Sequence, residues 1–244
     1  RLDRPITAQK LRLRITGSQA TPCISEFALF RQPAGAVRPS IFRRGDNLVI
    51  LADGKNKILY TTDGSEPKAG SPVYSQGAKF SESGVVKARC QFANGKLGPV
   101  SQAKFGISKT GWKVKSATSG NAAAAIDDNP ETSWTATAGV PQSFVVDMGK
   151  PYRATSFSYL PRQDGKTEGM TDKYQFEVSA DGKTWKKAAE GEFSNLRANP
   201  IEQNVNLKNV DEPVRYFRFT GTNALDGSGA SAAEINVFGT PAQG

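Results

Sequence analysis

Ala124-Ala-Ile-Asp-Asp-Asn-Pro-Glu-Thr-Ser-Trp134 is the stretch from which the rest of this 244-residue chain is read. Asp127, Asn129 and Thr132 set three oxygen-bearing side chains at i, i+2 and i+5. Pro130 keeps the segment from being an unbroken helix, because it has no backbone donor and its φ is fixed. Oxygens crowded onto one short turn suit a hard cation, and Ca²⁺ takes roughly six to eight oxygen ligands. The same residues also make an ordinary polar turn, since Asn, Asp and Pro dominate turns for local backbone reasons. Spacing alone leaves both readings open.

On the C-terminal side of that loop, residues 143–147, 154–160, 174–179, 184–188, 203–207, 215–220 and 232–238 read as short strands. They are apolar or alternating runs bounded by Gly, Pro, Asn and Asp. No segment sustains a helical period. The pattern predicts an all-β chain whose last domain is an antiparallel jelly-roll, two packed sheets with loops gathered at the ends. Trp134, Phe157, Tyr174, Phe176 and Trp185 belong to or flank apolar strand faces and are assigned to the core.

On the N-terminal side, 48–51, 58–62, 85–92 and 100–105 read as strands divided by Asp53-Gly54, Asp63-Gly64, Ser83-Gly84 and Asn94-Gly95. This spacing predicts a small β-sandwich of about seventy residues. Residues 10–16 and 24–30 are two further strand candidates, followed by a Pro- and Gly-containing linker at 32–39. They parallel the end of the chain: Arg14 matches Arg218, Glu26 matches Glu234, and Phe30 matches Phe238 with the same step after the Glu. The expectation is that the chain opens inside the last strands of an earlier jelly-roll. Chance alternation in two β segments is the competing explanation.

Composition removes several function classes. The formal charge is +9, from 32 Lys+Arg against 23 Asp+Glu, but the basic residues are scattered rather than massed with interleaved aromatics. That is not the footprint of a nucleic-acid binder. No apolar run approaches the roughly 18 residues of a membrane span. The first residues are neither Met nor an apolar leader, so any targeting segment is expected upstream or already removed. Histidine is absent, which excludes a nucleophile triad in its usual form. Cys23 and Cys90 cannot make a disulfide framework or a zinc site; both are read as buried thiols, with one bridge as the alternative.

A resemblance adds to this reading. The loop at 124–134 combines with Val145-Val-Asp-Met-Gly-Lys-Pro-Tyr152 and Phe157-Ser-Tyr-Leu-Pro-Arg-Gln-Asp164. Next come Tyr174-Gln-Phe-Glu-Val-Ser-Ala-Asp-Gly-Lys-Thr-Trp185 and Ser231-Ala-Ala-Glu-Ile-Asn-Val237. These five motifs, in order, resemble a coagulation-factor type C (discoidin-like) domain of the family 32 carbohydrate-binding kind. The resemblance implies one structural Ca²⁺ held by Ala124, Asp127, Asn129, Thr132, Ala233 and Glu234. It also implies a sugar site in the loops at one end of the jelly-roll. Arg162 matches that family's arginine, while Thr135 stands where a His is frequent, Glu168 near an Asn, and Gly229-Ala230 where an aromatic is usual. With Gln163, Asp164 and Glu168 beside it, Arg162 offers a planar fork of donors flanked by acceptors, which suits adjacent hydroxyls.

Tyr60-Thr-Thr-Asp-Gly-Ser-Glu-Pro67 resembles the Ig-like domain at the C-terminal side of chitobiases and β-hexosaminidases. Asp63 and Glu66 are accordingly read as turn residues. Glycoside hydrolysis needs a carboxylate pair across a cleft, and no pair of acids here has that signature, so no catalytic residue is assigned within the chain. The order of parts resembles the C-terminal half of a bacterial α-L-fucosidase of glycoside hydrolase family 29, with a β-hexosaminidase tail as the alternative. The expected division is 1–33 the end of a galactose-binding-like domain, 34–108 an Ig-like spacer, and 109–240 the discoidin-like domain. The resemblance implies a secreted or periplasmic, non-catalytic region that targets an upstream catalytic domain of the same protein to glycans containing fucose or galactose. The alternative is that these domains only pack against that enzyme.

Overall fold

The computed structural model of the chain describes residues 12–13 and 37–242. The jelly-roll ending expected over 1–33, with its Arg14, Glu26 and Phe30, and Cys23 all lie outside the described residues.

The first unit is made of two small antiparallel sheets. Strand β1 (Ser40–Arg44) pairs with β2 (Asn47–Leu51) across a turn in which Gly45 takes φ +55. Strands β3 (Lys57–Thr61), β4 (Gly84–Gln91) and β5 (Ser101–Phe105) form the second sheet in that order. Period-two alternation buries Leu48 and Ile50 from β2 and Val86 and Ala88 from β4, which meet Phe80 in a common core. Cys90, also on the inward face of β4, is buried and has no disulfide partner among the described residues. Asp63 accepts from Ser65 N (2.9 Å) and Ser65 Oγ (2.6 Å), the turn role expected for it.

The second unit contains β6 (Lys113–Ala117), a 3₁₀ turn (Ala122–Ala125), β7 (Trp134–Ala136), β8 (Gln142–Leu160), β9 (Thr171–Ser179), β10 (Lys186–Glu192), β11 (Gln203–Asn206), β12 (Val214–Ala224), β13 (Ala230–Ala232) and β14 (Glu234–Pro241). The segments expected at 143–147 and 154–160 are one strand, β8. Gly149-Lys-Pro151 looks like a break in sequence, yet it only bends the strand: Gly149 takes φ +82 and its N–H donates to Asp147 Oδ1 at 2.8 Å. The first half of β8 pairs with β12 and β6, and the second half with β14 and β11. A single strand therefore serves both layers of the jelly-roll.

Aromatic rings close those layers on each other. Phe157 from the second half of β8 stacks on Phe176 of β9 (4.2 Å between centroids, 9° between planes), and Tyr159 stacks on Phe219 of β12 at 5.7 Å. Trp134 is fully buried against Phe144 at 4.8 Å, with its indole N–H donating to Ser119 O at 2.8 Å. Each such aromatic pair contributes about 0.5–1.5 kcal/mol beyond the area it buries. Trp134, Phe157, Tyr174 and Phe176 are core residues as expected. Trp185 is not: it lies half-buried on the outer face, with the Arg218 guanidinium 4.7 Å from its ring centroid. The β9–β10 turn lifts it off the packed face.

The two units meet along β14. Ile107 N donates to Val237 O at 2.7 Å, Ser83 Oγ donates to Gly239 O at 2.5 Å, and Lys104 Nζ stands 4.2 Å from the Phe238 ring centroid. Gly106 is required there, since a Cβ would lie 2.8 Å from Val237 O. Among the described residues no helix is long and apolar enough to cross a membrane.

Candidate functional site

The loop at 126–134 is tied to itself by its own oxygens. Asp127 Oδ1 accepts from Asn129 N (2.9 Å) and Asp127 Oδ2 from Thr132 Oγ1 (2.8 Å). Asn129 O accepts from both Thr132 N and Thr132 Oγ1. Asn129 Oδ1 takes the Glu131 N–H. Asp128, at φ +60, is the left-handed residue that lets the turn close. Ala124 is buried in the preceding 3₁₀ turn, where its N–H donates to Asn121 O. These are the hydrogen bonds of a polar turn, and they gather the carboxylate, amide and hydroxyl of the three expected side chains on one side.

The other end of the expected set arrives with β14. Ala233 is fully buried and donates its N–H to Leu160 O; Glu234, next to it, is buried as well. Glu234 Oε1 has no hydrogen-bond partner among the described residues, and Oε2 is in contact with Lys109 Nζ. Lys109 also lies 3.2 Å from Asp128 Oδ1. The Glu234 carboxyl is raised to about 7, chiefly by burial and further by Asp128 and Asp127, against the opposing pull of Lys109. The carboxylates of Asp127 and Glu234, more than a hundred residues apart in sequence, are thereby brought to one place.

This donor set fits a hard cation. It is all oxygen, and one buried carboxylate oxygen is left without a partner. Among the described residues no three His, Cys, Asp or Glu side chains converge on a point, so a cation there depends on amide, hydroxyl and carbonyl oxygens as well. It also competes with the Lys109 ammonium for the Glu234 carboxylate. Lys109 is the residue the sequence reading missed. It sits in the segment joining the two units, with no motif around it, and only the docking of β14 brings it to Glu234.

The expected sugar residues follow β8. Arg162 is buried and its fork is engaged. Nε and Nη2 donate to Asp164 Oδ1 (2.8 Å) and Oδ2 (2.6 Å), and Nη1 donates to Glu168 O at 2.7 Å. The Arg162 guanidinium holds the Asp164 carboxyl below the usual carboxylate range. Gln163 Nε2 donates to Pro161 O and Pro200 O. The guanidinium thus shapes the loop, and the exposed side chains at its surface are Gln163, Asp164, Lys166 and Glu168.

Gly229 and Ala230 explain the absent aromatic. A Cβ on Gly229 would run into the Ala136 carbonyl oxygen, and Ala230 is fully buried with its Cβ against Gly221. The backbones of β7 and β13, paired from Trp134–Ala232 to Ala136–Ala230, approach too closely for a ring at either position.

A family model described as F5/8 type C domain matches residues 106–235, and one described as Fn3 associated matches 48–105. A galactose oxidase from Gibberella zeae is 33% identical over 143 residues, 54% of this chain and 20% of that protein, so the match spans about a fifth of the relative's length. The structure of CBM32-3 from a family 31 glycoside hydrolase of Clostridium perfringens is 26% identical with a TM-score of 0.51, covering 56% of this chain and 96% of that one. A putative chitobiase fragment from Bacteroides thetaiotaomicron shares the fold at 23% identity and a TM-score of 0.50, covering 57% and 95%. With more than half of its length matched by that first family model, and with the bent β8, the loop at 126–134 and Glu234 at the start of β14 all inside the match, the chain belongs to the F5/8 type C domain family.

Proposed function

We propose that this chain is the non-catalytic, glycan-binding region of a longer secreted or periplasmic enzyme, an α-L-fucosidase, with the unit of β1–β5 as an Ig-like spacer. The observation that carries the reading is the polar loop at 162–170, rigid and open at the end of a domain that is similar to a family 32 carbohydrate-binding module. Arg162 fixes the loop, and the Gln163 side-chain oxygen with the Asp164 and Glu168 carboxylates offers acceptors to sugar hydroxyls, the Gln163 N–H groups being taken by Pro161 O and Pro200 O. The galactose oxidase relative supports an accessory role, because the similar stretch is a small part of a much longer enzyme. The fucosidase assignment rests on the order of parts and on Tyr159-Leu-Pro-Arg-Gln-Asp164. Ca²⁺ is the structural cation of this proposal, held by Asp127, Asn129, Thr132 and Glu234 with Ala124 and Ala233.

Without an aromatic platform beside Gly229, affinity for fucose or galactose belongs near the millimolar end, about −4 kcal/mol. Avidity would then come from linkage to the rest of the enzyme. The test is an NMR titration of the chain with fucose, galactose and N-acetylgalactosamine. Shifts confined to residues 162–170 and reduced in Glu168→Gln support binding. Silence against all three supports the second reading, a domain that only packs against its enzyme, which the commitment of the Arg162 fork to its own loop favours.

A further inference from the structure

A second cleft lies on the outer face of the jelly-roll, away from the loop at 162–170. Its floor is one row across the sheet: Ser116 pairs with Val145, Val145 with Arg218, and Arg218 with Glu177. The flanking residues Phe217 and Phe219 point inward to the core, so the row faces solvent. The cleft measures about 480 Å³, within the roughly 300–1,000 Å³ of small-molecule sites.

Its walls are held in place. In the turn between β9 and β10, Asp181 Oδ1 accepts from Lys183 N and Thr184 N, both at 2.8 Å. Gly182, at φ +74, lies against the Tyr216 ring; a Cβ there would already be 3.4 Å from it. That turn carries Trp185 over the Arg218 guanidinium, which is itself clamped to Glu177 by two bonds of 2.5 and 2.6 Å. Glu177 is offset by Arg218, while Asp181, held ionised by the N–H groups of its own turn, offsets one of the two lysines and leaves the cleft with a net positive charge. Lys115 and Lys183 line the same cleft with no ion-pair partner among the described residues.

The half-buried Trp185 ring, the edge of a Tyr216 ring covered by Gly182 and Arg215, and two lysines against the single unpaired acid Asp181 form a wall that suits the apolar face of a sugar ring carrying a negative charge. We infer that this cleft is a second saccharide site, specific for an anionic sugar, a uronate or a sulfate ester. The ring packs against the Trp185 face not taken by Arg218, with Tyr216 at its edge, and Lys115 and Lys183 meet the anionic group. The site goes beyond the loop reading above and uses none of its residues. It also supplies the aromatic surface that Gly229 and Ala230 deny to the loop end.

The indole N–H of Trp185 is the reporter, because Trp112 and Trp134 are buried and serve as internal references. The whole chain is titrated with a galacturonate trisaccharide, a chondroitin sulfate disaccharide and a neutral galactotriose, and indole resonances are followed by NMR. The expected result is a Trp185 shift with one or both anionic sugars, weakening about tenfold as salt is raised to about 1 M. A response to galacturonate alone assigns a carboxylate, and a response to the sulfated sugar alone assigns a sulfate ester. Lys115→Gln with Lys183→Gln should lose about tenfold in affinity at an unchanged melting temperature, and Trp185→Ala should abolish binding where Trp185→Phe retains part of it. A silent indole against both anions overturns the inference, as does an equal, salt-independent response to the neutral sugar. Amide shifts in residues 162–170 report the loop site separately, so the failure of one leaves the other standing.

Discussion

The Lys109 ammonium, from the segment joining the two units, stands against the buried carboxylate of Glu234 on β14, 125 positions away in the chain. Both side chains are almost fully withdrawn from solvent. Removing Lys109 leaves a buried carboxyl that must stay charged without a partner or take up a proton at neutral pH, and the loss of a buried pair costs up to about 3–5 kcal/mol. Lys109→Met should therefore lower stability by about 3 kcal/mol in urea unfolding. Because the two act as a pair, adding Glu234→Gln should recover part of that loss. Equal stability of Lys109→Met and the parent would remove the pair from the account of what holds the linker to the domain.

Calcium should raise the melting temperature of the C-terminal unit. A ligand that binds only the folded state stabilises by mass action, about 2.7 kcal/mol at a hundred times its dissociation constant. Chelator should reverse the shift and Asp127→Ala should abolish it. Since Lys109 competes for the same carboxylate, Lys109→Met should bind calcium more tightly than the parent despite its lower stability, as isothermal titration would record.

Acid should act through Asp147. Arg215 donates to its two oxygens at 2.8 and 2.9 Å, and that hydrogen-bonded pair holds the carboxyl below the usual carboxylate range. A depressed value in the folded state means that the unfolded chain takes up the proton first. The stabilisation is complete well above the unfolded value of about 3.9 and is lost as pH falls through the folded one. Asp147→Asn should thus be less stable than the parent at pH 7, with the gap narrowing below about pH 4. A gap that stays constant across that window would contradict it.

Arg162→Ala removes three hydrogen bonds that hold the loop at 162–170, two of them to a carboxylate. We expect a cost of about 1–3 kcal/mol and faster hydrogen exchange confined to that loop. Arg162→Lys should not rescue it, because a single ammonium cannot reproduce the two-point contact with Asp164.

Gly229→Phe, a direct attempt to restore the missing aromatic, should fail. The new Cβ meets the Ala136 carbonyl, and forcing the two backbones apart costs about 1–3 kcal/mol. The expected readout is a lowered melting temperature with no gain in affinity for galactose. A folded, tighter-binding variant would mean that β7 and β13 separate more easily than their close pairing implies.

The strands of the second unit were legible because alternation and apolar runs report burial locally. Val146, Phe157, Phe176 and Phe217 occupy inward positions that the pattern alone assigns. The loop at 126–134 was legible for the same reason, since its hydrogen bonds run between residues at most five apart. The sequence by itself thus determined an all-β chain, its turns, and the side chains that could hold a cation. Tertiary structure alone decided three further matters. It kept β8 whole, because Gly149 bends the backbone while β12 and β14 pair on either side of the bend. It turned Arg162 into a loop clamp, because Asp164 and the Glu168 carbonyl meet the guanidinium before any ligand does. It moved Trp185 from the expected core to an open face, because the turn at Asp181–Gly182 and the bulge between Lys187 and Ala189 set which side of β10 faces inward. In each case the deciding partner is either remote in sequence or a competitor for the same donors, and a local pattern of polarity carries no record of it.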